Sequence, residues 1–242
     1  MTTSIQHTYL NVLFAGASEL GIAITEKQAL SFRVYLDEIK SWGSALNLVH
    51  RADEREIILK DYIDSLSAMK FISMGASLLD LGSGAGFPGV PLKIVREDLK
   101  VALLEANQKK FYFLKNLIRT LRLHEIHAFW TEDKEKIRSL LLILHEIQAF
   151  WTEDKEKIRS HLLGKFDFVI SRAFGSFIRI ADEGLPFLKD GGMLLAMKGR
   201  KGKEEFDRSV PFLLEKGLHP AFQEEIKLPI LNHSRIFIGL RK

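Results

Sequence analysis

The feature that most constrains the fold is a glycine-rich segment at residues 78–89, LLDLGSGAGFPG, which begins with a short apolar run. The run predicts a buried strand, and Pro88 predicts the start of a helix because proline suits the first helical turn. Glycines let a ligand approach the backbone, and the free N–H groups of the next helix favour negative charge. Glu105, 21 residues after Gly84, ends a second apolar run and can accept the two hydroxyls of a ribose. This arrangement predicts a nucleotide-like cofactor at one end of a parallel sheet.

From residue 77 onward, short apolar runs alternate with helical patterns. Strands are predicted at 77–81, 101–104, 166–170 and 193–197, and near 225–230 and 235–240; helices are predicted from Pro88, through 113–121, up to about Leu188, and over 203–216. Such alternation indicates a parallel sheet covered by helices on both faces. Only residues 231–234 separate the last two strands, so these should form an antiparallel hairpin. The sequence therefore predicts an α/β fold, a doubly wound Rossmann-like sheet that is mostly parallel and ends in an antiparallel hairpin.

Residues 1–76 have a different pattern and are predicted to be helical. Thr25-Glu26-Lys27-Gln28 is a capping box, in which the hydroxyl and the amide satisfy free backbone N–H groups at the start of a helix. Apolar residues follow it at helical spacing, and Asp53 begins a second pattern of the same kind. We therefore predict a small N-terminal helical subdomain at 1–76, followed by the main domain at 77–242.

Residues 123–143 recur almost unchanged at 144–164, with three differences between the two copies. Repeat architectures need at least three units, so two near-identical copies indicate a tandem duplication of one strand-and-helix unit. Deleting either copy leaves the order of strands and helices intact. The sequence does not choose which copy enters the sheet.

The composition limits the chemistry. The chain has no cysteine, which excludes disulfides, thiolate metal sites and cysteine nucleophiles. No apolar run reaches the roughly 18 residues of a membrane helix, and no Lys or Arg precedes Lys27, so a signal peptide is not expected. His124 and His145 are copies of one another without a third ligand at metal spacing, and we interpret both as surface residues. We expect a cytoplasmic monomer without a bound metal.

The net charge of +4 is unevenly placed, with an acidic excess in residues 1–76 and a basic excess in residues 77–242. A basic region suits a polyanionic partner such as nucleic acid. Lys198, Arg200, Lys201 and Lys203 lie in one glycine-containing loop after the 193–197 strand, where they can follow a phosphate backbone. Solvated surface charge is the alternative interpretation of this loop.

The glycine pattern alone leaves the cofactor open. Gly84, Gly86 and Gly89 satisfy G-x-G-x-x-G, and Glu105 stands at the spacing of the dinucleotide fingerprint, so an NAD(P)-dependent oxidoreductase is one candidate. Asp80 at the end of the first strand and the C-terminal hairpin favour S-adenosylmethionine instead. A third candidate is an RNA-binding module whose cofactor pocket is inactive.

Several segments occur in an order that resembles a known family: LLDLGSGAGFPGVPLKIV, LLEANQKKFYFLKNL, FDFVISRAF and AMKG. Together with the N-terminal Trp42, Asn47-Leu48 and Ile63-Asp64-Ser65-Leu66, they resemble the RsmG (glucose-inhibited division protein B) family over nearly the whole chain apart from the duplication. The resemblance implies a class I methyltransferase fold with S-adenosylmethionine as cofactor. It also implies methylation of a guanine at N7, with 16S ribosomal RNA or the small ribosomal subunit as substrate.

The resemblance further implies where the cofactor is bound. It implies contacts at Gly82 and Phe87 in the glycine loop, at Arg172 in Ser-Arg-Ala-Phe, and at Thr131-Glu132 or its copy Thr152-Glu153 after the third strand. The loop pattern itself predicts further contacts at Gly84, Gly86 and Glu105. Two positions depart from the family pattern. Tryptophan replaces an arginine directly before the third-strand contact, and Lys60-Asp61 replaces the usual Arg-His.

Arg172 and Lys198 are the candidate catalytic residues, because both end predicted strands at the edge where open α/β sheets bind ligands. We expect Arg172 to position cofactor and base, and Lys198 to bind an RNA phosphate or the guanine edge. Phe87 and Phe174 are candidates for stacking on a base or on adenine. Guanine N7 carries an in-plane lone pair and no proton, so the reaction requires orientation rather than a general base.

Overall fold

The computed structural model describes residues 2–46, 48–49, 53–130, 162–231 and 233–242. Within these ranges the strands are β1 Ser77–Leu81, β2 Lys100–Glu105, β3 Ile126–Trp130, β4 Phe166–Arg172, β5 Leu188–Lys198, β6 His219–Lys227 and β7 Ser234–Arg241. They form one sheet in the order β3-β2-β1-β4-β5-β7-β6. The first five strands are mutually parallel, and β7 is antiparallel to β5 and to β6. The predicted α/β sheet with its antiparallel C-terminal hairpin is confirmed.

The helices in the described ranges are α1 Thr2–Glu19, α2 Glu26–Leu46, α3 Glu54–Ile57, α4 Asp64–Leu66, α5 Gly89–Val95, α6 Gln108–Leu121, α7 Phe177–Gly184 and α8 Gly202–Glu215. A π-helix, Ile58–Ile63, joins α3 to α4. The predicted capping box is present at the start of α2: the backbone N–H of Gln28 donates to Thr25 Oγ1 at 3.2 Å, and that of Thr25 donates to Gln28 Oε1 at 2.9 Å. Local sequence signals therefore place the N-terminal helices correctly.

Two hydrophobic clusters hold helices against the two faces of the sheet. Successive strand residues point to opposite faces, so Leu78 packs in one cluster with Phe32 and Tyr62 of the N-terminal helices, whereas Leu79 packs in the other with Phe177 of α7. The N-terminal helices thus share their core with one face of the sheet. This packing brings them within reach of the strand ends.

The strand order reverses between β1 and β4, since β2 and β3 extend the sheet on one side and β4 and β5 extend it on the other. The carboxyl ends of all five parallel strands lie at one edge, and open α/β sheets bind ligands at such a switch point. The glycine loop after β1, Glu105, Arg172 and Lys198 all lie at this edge.

Three predicted boundaries are wrong. The strand expected at 193–197 is β5, which begins earlier, at Leu188. The helix expected to reach about Leu188 ends at Gly184, and Leu185–Phe187 forms a 3-10 turn that leads directly into β5. Phe187 and Leu188 are both buried, so the apolar pattern does not distinguish the turn and strand from a helix. The strand expected near 225–230 is β6, which begins earlier, at His219. Because this edge strand is largely exposed on both faces, it lacks the apolar alternation that marks a strand.

The first copy of the duplicated unit supplies the sheet strand. Residues 126–130 form β3 and pair in parallel with β2, from Val101 opposite Ile126 to Glu105 opposite Trp130. Residues 131–161 lie outside the described ranges, and with them Thr131, Glu132, Thr152, Glu153 and His145.

Replacing Thr25 with Ala removes the hydroxyl that caps α2, and we expect the free energy of unfolding to fall by about 1 kcal/mol. Urea denaturation at neutral pH measures the change. Ser31→Ala is the matched control, because Ser31 Oγ donates to the Lys27 carbonyl within the same helix and caps no free N–H group. The control should change stability by less than about 0.5 kcal/mol; equal losses in the two variants would contradict the role of the capping box.

Candidate active site

The glycine loop turns sharply after β1 and packs tightly on both sides. Gly82 and Gly86 have φ values of 75° and 100°, a region that side chains rarely adopt. A Cβ on Gly82 would collide with the ring of Phe174, and one on Gly86 would lie 2.7 Å from the Tyr35 hydroxyl. By contrast, a Cβ on Gly84 would meet, among the described residues, only the Gly82 carbonyl, at 3.9 Å. The loop is therefore closed at its ends and open to a ligand in its middle.

Glu105 ties the open part of the loop to the end of β2. Its Oε2 accepts the backbone N–H of Gly84 at 2.7 Å, and its Oε1 accepts that of Asn107 at 2.8 Å. Each carboxylate oxygen can accept a further hydrogen bond, so the expected role toward ribose hydroxyls is compatible with these two contacts. The Glu105 carboxylate therefore holds the loop in place, and its remaining lone pairs lie beside Gly84.

Asp80 is a buried carboxylate at the end of β1. Its Oδ2 accepts the Gly89 N–H at the start of α5 at 2.9 Å, whereas its Oδ1 is enclosed and has no hydrogen-bond partner among the described residues. Burial raises the pKa of Asp80 from 3.8 to about 7, although the Gly89 N–H and the charge of Arg172 act in the opposite direction. The site therefore holds a carboxylate that a nearby positive charge would stabilise.

Arg172 ends β4 but binds the N-terminal helical segment. Its Nη1 donates to the Lys60 carbonyl at 2.9 Å and to Asp64 Oδ2 at 3.0 Å, and its Nη2 donates to Asp61 Oδ1 at 2.8 Å. Burial alone would lower the pKa of Arg172, but the two carboxylates outweigh it and keep the pKa above its ordinary value. Position 61, where the chain departs from the family pattern, thus contributes a direct ion pair to the site.

Phe87 is buried in an aromatic cluster rather than open to a base. Its ring lies 5.5 Å from that of Tyr35 and 5.9 Å from that of Tyr62, and the Arg172 guanidinium carbon lies 4.9 Å from its centre. Tyr35 donates its hydroxyl proton to the Ala85 carbonyl at 2.5 Å. In this structure the ring supports Arg172 and the loop, and stacking of Phe87 on a base stays a prediction.

Phe174 is only partly buried, and it covers Gly82 from the β4 side. The guanidinium carbon of Arg179 lies 4.2 Å from the centre of its ring. Ala173, between Arg172 and Phe174, has φ 56°, a left-handed conformation that is strained for alanine. This backbone turn directs Arg172 and Phe174 to different sides of the strand end. Stacking of Phe174 on a base or on adenine stays a prediction.

Lys198 ends β5, but its ammonium group is held by the protein. It donates to the Gly175 carbonyl and lies 3.1 Å and 3.2 Å from the two carboxylate oxygens of Glu205, over the ring of Phe177. Glu205 also accepts the Phe177 N–H at 2.9 Å. The structure therefore places Lys198 as a link between β5, the loop after β4 and α8. It does not place it in an open acceptor site.

The basic loop beyond Lys198 is exposed. Arg200, Lys201 and Lys203 are all exposed and form no ion pair within the described part of the chain. Four cations were expected to follow a phosphate backbone. Three of them are exposed and can contact phosphates, whereas Lys198 is already paired with Glu205.

Trp130 occupies the place where the family pattern has an arginine. Its indole N–H donates to the Ala106 carbonyl at 3.0 Å, and its ring stacks on Phe111 at 6.4 Å. Because Trp130 pairs with Glu105 across the strands, this aromatic pair borders the Glu105 side of the site. The Thr-Glu contacts expected next to it lie outside the described residues.

The described ranges contain no group of three or more His, Asp or Glu side chains that could hold a metal ion, and His124 is exposed. In the same ranges, no helix has the length and apolar character to cross a bilayer.

A cavity of about 540 Å³ opens at the opposite edge of the sheet, lined in part by Phe168, Lys189, Gly192 and Arg241. None of the predicted site residues lines that cavity.

The three residues that complete the Arg172 environment, Asp61, Asp64 and Arg235, are absent from the sequence-based site. Arg235, at the start of β7, binds the Asp64 carboxylate through Nε at 2.7 Å and Nη2 at 2.5 Å. A signal was present, because Asp61 and Asp64 are charged residues within the apolar helical run IILKDYIDSL, which indicates a buried partner. The identity of that partner required the tertiary structure.

The GidB family model, described as rRNA small subunit methyltransferase G, matches residues 28–219. A ribosomal RNA small subunit methyltransferase G from Geotalea uraniireducens is 35% identical over 238 residues, covering 98% of this chain and 99% of that relative. The chain belongs to this family. A second relative of the same name, from Pelotomaculum thermopropionicum, is 35% identical over 229 residues and covers 94% of this chain and 87% of its own length. The resemblance inferred from the motifs is confirmed.

Solved structures share the fold at low sequence identity. A methyltransferase from Pyrococcus furiosus superposes with a TM-score of 0.55 at 14% identity, covering 87% of this chain and 97% of that one. TYW2 from M. jannaschii, solved in complex with AdoMet, gives a TM-score of 0.51 at 18% identity and covers 74% of each chain. These similarities support the class I methyltransferase fold alone.

The site fits S-adenosylmethionine, the cofactor of this family. The cofactor carries a sulfonium and an ammonium group, and the buried, unpartnered Oδ1 of Asp80 supplies complementary negative charge. The open space over Gly84 and the remaining lone pairs of Glu105 suit the ribose. The residues present therefore fit the positive charge and the ribose of the cofactor.

Asp80→Asn should stabilise the protein without its cofactor. Because burial raises the pKa of this carboxyl from 3.8 to about 7, ionisation of Asp80 weakens the fold as the pH rises through that interval. The variant should exceed the wild type in free energy of unfolding by about 1–3 kcal/mol at pH 8 and match it near pH 4. Urea denaturation at the two pH values makes the comparison.

The same variant should bind S-adenosylmethionine roughly tenfold more weakly, because ionised Asp80 attracts the positive charge of the cofactor. Wild-type affinity should fall as the pH drops below about 7, where Asp80 takes up a proton, and the variant should lose this dependence. Calorimetric titration over this pH range measures both effects. A variant that keeps the wild-type pH profile would show that Asp80 does not act on the cofactor.

Proposed function

We propose that the chain transfers the methyl group of S-adenosylmethionine to N7 of a guanine in 16S ribosomal RNA. The observation that carries the proposal is that Asp80, the glycine loop and Glu105 lie together at the switch point of the sheet. The chain that carries this arrangement belongs to the rRNA small subunit methyltransferase G family. The family model also decides between the cofactors left open by the glycine pattern, because it belongs to methyltransferases and not to oxidoreductases.

The proposed reaction does not require the protein to remove a proton from the methyl acceptor. Bound S-adenosylmethionine supplies an electrophilic methyl group on a sulfonium, and guanine N7 offers a lone pair without a proton to remove. The residues of the chain therefore need to hold the acceptor in line and exclude water, and orientation supplies most of the acceleration. The rigid contacts around Arg172 and Phe87 suit such a task, since they fix one wall of the site by three hydrogen bonds and an aromatic stack.

The candidate residues divide between the two sides of the site. Gly82, Gly84, Gly86 and Glu105 hold the cofactor side, together with Thr131-Glu132 or Thr152-Glu153 as proposed further contacts, and Phe87 supports the loop from beneath. Arg172 borders the acceptor side. Lys198 fixes the loop after β4 through Gly175 and Glu205, and the exposed cations of residues 200–203 contact RNA phosphates.

We further propose that the enzyme acts in the cytoplasm as a monomer and takes the small ribosomal subunit or its RNA as substrate. The basic excess of residues 77–242 supports a polyanionic partner. An RNA-binding module with an inactive cofactor pocket is the competing function. It predicts salt-sensitive RNA binding without binding of S-adenosylmethionine.

Transfer of labelled methyl from S-adenosylmethionine to small ribosomal subunits that lack the modification tests the proposal. Reduction and aniline cleavage then locate N7-methylguanine in the 16S RNA, and we expect one strong cleavage site. A variant lacking residues 144–164 is the matched control for the duplication. Activity in that variant alone would mean that the second copy blocks the enzyme, whereas no transfer by either protein would contradict the proposed reaction.

A further inference from the structure

Four charged side chains from three parts of the fold form one buried network at the site edge. Asp64 accepts hydrogen bonds from Arg172 of β4 and, through both oxygens, from Arg235 of β7. Asp61 binds the second terminal nitrogen of Arg172. The side chains of Asp61 and Asp64 are 1% and 0% exposed. Buried charges are costly unless they are paired, and here two carboxylates neutralise two guanidinium groups.

The π-helix places these acceptors together. Asp61 lies within Ile58–Ile63 and Asp64 directly follows it. The Lys60 carbonyl also accepts from Arg172, at 2.9 Å. π-helical turns are rare and often occur at functional sites. The segment thus presents one carbonyl and two carboxylates to a single guanidinium.

Each arginine keeps a donor that the network does not use. Arg172 binds through Nη1 and Nη2, which leaves Nε, and Arg235 binds through Nε and Nη2, which leaves Nη1. Neither remaining nitrogen has a hydrogen-bond partner in the described part of the chain, and neither is among the enclosed unpaired atoms there. The Arg235 side chain is 21% exposed and that of Arg172 is 14% exposed. Arg235 is therefore the more accessible of two rigidly held cations.

Arg235 also lies close to the exposed cations that we propose to contact RNA. Its neighbour Ile236 pairs with Lys198 at the carboxyl end of β5, next to the exposed cations of residues 200–203. A guanidinium whose Nε and Nη2 are fixed by a carboxylate directs its remaining N–H groups in a set direction. Such a group suits a phosphate oxygen.

We propose that Arg235 binds an RNA phosphate next to the methyl acceptor, and that Asp64 is the positioning residue that orients Arg235 and Arg172. The inference rests on the proposed function for the identity of the RNA, and it adds a substrate contact at the start of the last strand. The N-terminal helical segment thereby takes part in substrate binding without touching the RNA at Asp64.

The test compares Arg235→Ala, Arg235→Lys and Asp64→Asn with the wild type. The measurements are the salt dependence of binding to unmodified small ribosomal subunits, the KM and kcat for methyl transfer, and the affinity for S-adenosylmethionine. Arg241→Ala is the matched control, because Arg241 ends the same strand at the opposite edge of the sheet and, within the described ranges, binds only the Gly191 carbonyl. It removes an arginine from β7 without touching the network.

Arg235→Ala should lower the slope of log affinity against log salt by about one and raise the KM for subunits roughly tenfold, while cofactor affinity stays within about twofold. Arg235→Lys should keep the salt slope because the positive charge remains. It should lower kcat, because lysine cannot form the two hydrogen bonds by which Asp64 orients Arg235. Asp64→Asn should lower kcat and keep the slope, because both arginines remain charged. The Arg241→Ala control should match the wild type in all measurements.

A wild-type slope and KM in Arg235→Ala would overturn the proposal and leave the network as structural support alone. A cofactor affinity that falls more than fivefold in Arg235→Ala would also overturn it, because the anion held by Arg235 would then belong to the cofactor. If Asp64→Asn does not fold, Arg235→Lys still decides the positioning role. The binding slope needs no methyl transfer, so a wild type that binds subunits without methylating them separates failure of the proposed reaction from failure of this inference.

Discussion

Two carboxylates at the ends of adjacent strands hold the glycine loop, and the rest of the site depends on them. Asp80 anchors the helix that follows the loop through Gly89, and Glu105 anchors its middle through Gly84. Backbone N–H groups that would otherwise bind an anion are partly satisfied by these side chains. The loop therefore offers fewer free N–H groups to the pyrophosphate of a dinucleotide than its glycine spacing suggests. The family model decides between the two cofactors that the glycine spacing leaves equivalent.

The N-terminal helices are part of the site and not an appendage to it. Their apolar side chains share a core with one sheet face, and Asp61 and Asp64 hold the arginine at the end of β4. The departure from the family pattern at position 61 replaces an imidazole with a carboxylate. That carboxylate forms an ion pair with Arg172, at 2.8 Å. Tyr35 connects the same helices to the loop through the Ala85 carbonyl.

Local patterns predicted most of this fold, and the failures have physical causes. Buried strands such as β1 and β2 read as apolar runs because both faces are covered, whereas the edge strand β6 carries no such signal. The motif positions of Asp80, Gly84 and Glu105 were predictable because a strand, a tight loop and a helix follow one another in sequence. The Asp64–Arg235 pair joins residues 171 positions apart, and neither local periodicity nor motif spacing reports such a contact.

Lys198 shows why a residue's place at a strand end is not enough to assign its role. The position was predicted correctly, yet Glu205 and the Gly175 carbonyl already bind its ammonium group. A cation with its charge satisfied inside the protein adds little to the field that an RNA phosphate meets. The exposed cations of residues 200–203 have no such partner in the described part of the chain, and Arg235, although paired with Asp64, keeps an unused Nη1 donor. In the proposed function, the cations that the protein itself binds form the walls of the site, and the cations with unused donors contact the RNA.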